Sequence, residues 1–158
     1  RKGSTDERYL SRFQFVAAPG TPEWEMENEK FMEGAQLWSN VTARMPRDFK
    51  QALTLILDAK GVTVEKLAES LCVDRRTVFR WMLERNVTLR QVTAICVALD
   101  LPGNVGLQLA ATSQARCRST RDRGMYEMMI SYAQSLSLSR CNTMLKEGGM
   151  EPLTIDGA

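Results

Sequence analysis

Three arginines, Arg75, Arg76 and Arg80, fall within six positions beside Thr77 and Phe79, in the stretch DRRTVFRWML from Asp74 to Leu83. A guanidinium presents a planar fork of N–H donors that engages two acceptors at once, such as O6 and N7 of a guanine edge. Made to a base, that contact discriminates by about 1–3 kcal/mol. Arginines in such numbers also suit a plain solvated helix face. The local balance weighs against the plain reading, because from Lys60 to Arg90 seven Lys or Arg stand against four Asp or Glu. The basic residues bunch on the outward side of the expected helix, as an anionic partner requires.

The elements that must carry these residues are legible in the twenty residues Val64 to Leu83, VEKLAESLCVDRRTVFRWML. Their apolar and small residues fall where two short helices packed across a tight turn need them. Ala68, between Leu67 and Leu71, lets a second helix approach closely. Cys72 and Val73 form the turn. Asp74 is placed to cap the second helix by accepting from its free backbone N–H groups, and Val78 with either Trp81 or Met82 takes the buried side. Arg75, Arg76, Thr77, Phe79 and Arg80 are left outward.

This layout resembles the Cro and phage-repressor (XRE-like) helix-turn-helix family, over residues of about 46 to 113. Upstream, Pro46 to Lys60 supplies a first helix with Pro46 in its opening turn and Gly61 at its stop. Downstream, Thr88 to Leu99 opens with Thr88 and Gln91 in capping-box spacing and sets Val92, Ile95, Cys96 and Leu99 on one face. Asp100 to Pro102 end that helix, and Asn104 to Thr112 reads as a fifth. The resemblance implies an all-α chain built on a five-helix repressor-like bundle that binds double-stranded DNA, as a transcriptional regulator or the DNA-binding region of a larger one. Carried over residue by residue, its base-reading positions are Arg75, Arg76, Thr77, Phe79 and Arg80. Lys66, Arg85, Arg90 and the N-terminal amides of the two motif helices suit phosphate contacts, which position without reading sequence. Members of the family commonly pair two recognition helices about one turn of DNA apart, which implies a homodimer on a palindromic site.

Two departures from the family pattern stand out. Cys72 occupies a turn position where glycine, free at positive φ, is usual. Phe79 exposes an aromatic ring on the outward face, and two readings stay open for it: contact with a thymine methyl, or packing against another part of the protein.

Three segments follow. Residues 1–45 hold an irregular arm ending at Pro22 and an acidic helix, Glu23 to Ser39, anchored by Trp24, Phe31, Leu37 and Trp38. Residues 46–113 are the helix-turn-helix domain. Residues 114–158 begin with the arginine-rich stretch ARCRSTRDRG, read as a solvated linker between helices with a second phosphate-contacting patch as the alternative, and continue as a helical hairpin, Met125 to Leu136 and Leu138 to Glu147, the second helix capped by Ser137 and stopped by Gly148 and Gly149. Its apolar surplus, including Met125, Met128, Met129, Ile130 and Tyr132, joins the main core or makes a dimer contact, so a homodimer through the N-terminal or C-terminal helices is expected. Pro152 to Ala158 are expected to fray.

Composition narrows the function classes. The formal net charge of +2 is too small to drive tight non-specific binding, but residues 1–40 carry five basic and seven acidic side chains, which leaves sixteen against twelve in the remainder. The chain has no histidine, and its four cysteines, Cys72, Cys96, Cys117 and Cys141, are widely spaced. Histidine base catalysis is therefore impossible, and no metal site or cofactor is expected. No phosphate loop or nucleophile–base pair stands out, so an enzyme is not expected. No apolar run is long enough to cross a bilayer, and reduced cysteines without a signal-peptide core point to the cytoplasm. The first residue is not Met, as in a fragment or a processed chain. The competing function is a protein-interaction module built on the same bundle, with Phe79 as its anchor.

Overall fold

Eight α-helices and one short 3-10 turn follow one another through the residues that the computed structural model describes, 16–84, 87–117 and 119–154. They are α1 Pro22–Arg44, α2 Phe49–Lys60, α3 Val64–Ser70, α4 Arg75–Glu84, α5 Leu89–Ala98, α6 Gly103–Ser113, α7 Thr120–Ser131 and, after the turn Ala133–Ser135, α8 Leu138–Glu147. The chain is all-helical, with no strand among the described residues; one isolated bridge joins Thr88 and Arg116. The five helices expected between 46 and 113 thus stand among eight, because α1, α7 and α8 share their core.

Local polar residues decide where the helices begin. The side chains of Thr21, Asp48, Thr63, Thr88, Ser119 and Ser137 each accept from a backbone N–H of the first turn that follows. At α5 the cap is reciprocal: Gln91 N donates to Thr88 Oγ1 at 3.2 Å, and Thr88 N donates to Gln91 Oε1 at 2.9 Å. The expected start at Pro46 is corrected by Asp48, whose carboxylate accepts from Gln51 N at 3.1 Å and sets α2 to begin at Phe49. A carboxylate that satisfies a free donor starts a helix better than a proline that merely lacks one.

Four helix ends share one device. The chain turns through a left-handed residue at Gly61, Cys72, Asp100 and Gly149, with φ of 67°, 58°, 51° and 76°. In each, the left-handed residue donates its N–H back three positions and the next residue donates back five, closing on the carbonyls the helix leaves open. The residue after each turn is apolar: Val62, Val73, Leu101 and Met150. After Gly61, Cys72 and Asp100 the next helix begins three residues on, at Val64, Arg75 and Gly103.

The core that results is continuous, running from Trp38 and Val41 of α1 through α2 to α8 and on to Leu153. Helix α7 packs on α5 and α6, α6 on α2 and α1, and α8 on α5. Gln108 of α6 also donates to Thr42 O at 3.0 Å, which fastens the end of α1 to the bundle. Close approach between α6 and α7 depends on Gly103 and Gly106, where a Cβ would lie 2.6 Å from Ser131 O and 2.8 Å from Ile130 Cγ2.

Three flanking expectations change. The helix expected from Met125 to Leu136 instead opens at Thr120, inside the stretch expected to be a linker, because Ser119 caps it by accepting from Asp122 N, and it ends at Ser131. Helix α1 runs five residues past Ser39, to Arg44, because Val41 still has core to bury. The tail from Pro152 does not fray at once: Leu153 and Thr154 are buried, and Asn142 accepts from Leu153 N at 2.7 Å and donates to Thr154 Oγ1 at 2.9 Å. Buried polar atoms with partners hold a segment that its length alone would leave loose. Residues 155–158 lie outside the described residues, as does the first part of the expected arm, residues 1–15.

Candidate nucleic-acid interface

The turn between α3 and α4 is built from a helix end and a helix start placed back to back. Leu71 closes α3, Cys72 takes the left-handed conformation, and Val73 N donates to Ala68 O at 3.0 Å. Asp74 then opens α4, its carboxylate accepting from Arg76 N at 3.3 Å and its carbonyl from Thr77 N at 2.9 Å. Ala68, buried at the contact, lets α4 pack on α3, and α2 supports it from another side. Val78, Trp81 and Met82 are all buried beneath α4, so both of the alternatives left open for that position go inward.

What remains on α4 faces outward. Arg75, Arg76, Phe79, Arg80 and Leu83 are exposed, and Thr77 is half-buried. Arg76, Phe79, Arg80 and Leu83 sit at i, i+3, i+4 and i+7, the spacing of one helix face. They line an open groove of about 580 Å³ together with Arg75 and with Glu65 from α3. Leu83 is the member that sequence reasoning missed. Its signal was present, since it lies one turn beyond Phe79 and two beyond Arg76.

Charges around the groove are not equivalent. Arg75 Nη1 donates to Glu65 Oε2 at 3.2 Å, and both side chains remain exposed. An exposed ion pair of this kind contributes only about 0–1 kcal/mol, so Arg75 is steered rather than locked. Lys66 pairs with Glu69 at 3.6 Å on the exposed side of α3. Arg76 and Arg80 project over the groove beside Phe79, which leaves the net charge of its lining positive, three arginines against one glutamate.

The remaining candidates lie elsewhere. Arg90, on α5, donates from Nη1 to Pro152 O at 2.8 Å and pairs with Glu151 at 3.8 Å, so its guanidinium is engaged by the C-terminal segment. Arg85 lies outside the described residues. In the arginine-rich stretch after Ala115, Arg121 is part of α7 and donates to Gly148 O, while Arg118 lies outside the described residues. Among the described residues no group of three or more Cys, Asp or Glu is placed to hold a metal ion, and no helix is long and apolar enough to cross a membrane. No protein-family model, curated protein or solved structure matches the chain.

Proposed function

We propose that this chain binds double-stranded DNA through α4, with α3 and α4 as the two helices of a helix-turn-helix inside a repressor-like bundle, in a transcriptional regulator or the DNA-binding region of one. The observation that supports this most is the division of α4 into two faces. Val78, Trp81 and Met82 are spent on the core, while Arg76, Phe79 and Arg80 stand outward on one line with Arg75 beside them. A helix of this width enters the major groove, where the arginines meet guanine acceptors. Arg76 and Arg80 take the base-reading role, Lys66 and the amide end of α4 suit the flanking phosphates, and Arg90 is set aside because the C-terminal segment occupies it. Pairing two copies on a palindromic site would use surface away from α4, for which the exposed Met128 of α7 and Tyr132 just after it offer apolar area.

The test is an anisotropy titration of the full chain against duplexes selected from a randomised pool, repeated for the Arg76→Ala, Arg80→Ala double variant. Each lost bidentate contact weakens binding by about 1–3 kcal/mol, with the thermal transition unchanged because both side chains are exposed. Exposure of Phe79 and Leu83 supports a second reading, a protein-interaction module. Under that reading Phe79→Ala disrupts the complex more than the arginine changes do, and duplex DNA does not compete.

A further inference from the structure

The face of α4 alternates chemistry along its length: arginine, phenylalanine, arginine, leucine at positions 76, 79, 80 and 83. Phe79 is 39% exposed and Leu83 63% exposed, although the core beneath α4 is already filled by Val78, Trp81 and Met82. The two apolar side chains are one turn apart and line the same groove as Arg75, Arg76 and Arg80. Apolar surface left in water gains only by meeting another apolar group. Among the edges that bases present in the major groove, the thymine 5-methyl is the apolar one, and guanine is the base whose two acceptors fit an arginine fork. Neighbouring side chains on one helix face are about 5–6 Å apart, against about 3.4 Å per base step along a strand. Adjacent members of the stripe therefore reach bases one or two steps apart.

We infer that the duplex read by α4 carries a thymine within two steps of a guanine, with the thymine 5-methyl seated on Phe79 and Leu83 while Arg76 or Arg80 forks onto the guanine. This rests on the DNA-binding reading and adds a specificity to it. The positive lining of the groove, three arginines against one glutamate, favours a polyanionic duplex as occupant.

The deciding experiment takes duplexes that the full chain enriches from a randomised pool and replaces their thymines, one at a time, with deoxyuridine, which deletes only the methyl. Dissociation constants are measured for the wild type and for Phe79→Ala, whose fold is checked by circular dichroism. One replacement is expected to weaken wild-type binding about fourfold, the equivalent of ~0.8 kcal/mol for one buried methyl at 1.4 kcal/mol per tenfold, and to weaken Phe79→Ala by less, since only Leu83 then remains against the methyl. Tolerance of deoxyuridine at every position, an equal penalty in Phe79→Ala, or enrichment of sites without thymine overturns the inference while DNA binding stands. The deoxyuridine series on the wild type alone decides it should the variant misfold. Failure to enrich any duplex removes the DNA-binding reading and this inference with it, and gives the face to a protein partner.

Discussion

Replacing Cys72 with glycine is expected to stabilise the protein, because Cys72 holds φ of 58° at the turn between α3 and α4. A left-handed backbone costs a residue with a Cβ about 1–2 kcal/mol. Glycine avoids that cost but loses about 0.5–1 kcal/mol more backbone entropy on folding. The thiol is half-buried, so its lost packing takes back only part of the difference. The backbone terms leave about 0–1.5 kcal/mol, and after the packing loss the net gain is about 0.5 kcal/mol, or ~1–2 °C in Tm at about 2–4 °C per kcal/mol for a chain of this size. Thermal denaturation followed by far-UV circular dichroism measures it. Gln114→Gly serves as the companion, since Gln114 has φ of 52° at the end of α6 and an exposed side chain, leaving the backbone term nearly alone. Cys72→Val, which forces a β-branched residue into the left-handed region, is expected to lower Tm. A fall in Tm for both glycine variants would refute the claim that left-handed strain governs these helix ends. A fall for Cys72→Gly alone would refute the weight given to backbone over thiol packing.

Gly106→Ala places a Cβ 2.8 Å from Ile130 Cγ2 and 3.2 Å from Cys96 Sγ, so overpacking of about 1–3 kcal/mol is expected, read as a lower urea midpoint at unchanged slope. Asn142→Ala strips Leu153 N and Thr154 Oγ1 of their buried partner, which costs about 1–3 kcal/mol and leaves the C-terminal segment open to limited proteolysis before the bundle melts. Burial pushes the Cys96 thiol up to about 12 and the Cys141 thiol up to about 11 from an ordinary 9.0. Because these folded-state values are raised, the unfolded chain releases protons first: the stability they contribute is complete below pH 9 and falls from pH 9 to about 11 for Cys141 and to about 12 for Cys96, by up to ~1.4 kcal/mol per pH unit for each thiol. Tm measured across that window should decline, and less steeply for Cys141→Ala.

Features that depend on a few consecutive residues are legible in the sequence alone. Thr88 and Gln91 announce a capping box because both halves of the exchange lie within four residues, and Ser137 and Asp74 announce helix starts for the same reason. Helical spacing likewise marks Val92, Ile95, Cys96 and Leu99 as one buried face. Pairings across long sequence separations are not legible there. Arg90 looks like a free cation until Pro152, sixty-two residues later, supplies the carbonyl that holds it. Asn142 looks like one polar residue of an amphipathic helix until Leu153 and Thr154 fold back on it. The left-handed turns at Asp100 and Gln114 are hidden for another reason: glycine signals such a turn by type, and a residue with a Cβ adopts it only when the helix before and the packing after require it.

The candidate site shows the same division. Which residues of α4 point outward follows from which points are taken by the core, and periodicity alone settles Val78 against Phe79. Trp81 and Met82 could not be ranked by spacing, since adjacent positions on a helix differ by only part of a turn, and the structure buries both because α4 lies between α2 and α3 rather than on one of them. That two-sided support narrows the exposed arc to a stripe, and the narrowing is what selects Leu83. Fold and proposed function thus draw on opposite arcs of one helix. Substitutions at Val78 or Met82 act on stability, whereas under the proposed function those at Arg76 or Arg80 act on affinity for DNA, and Phe79 stands on the exposed arc while Val78, Trp81 and Met82 fill the core beneath α4.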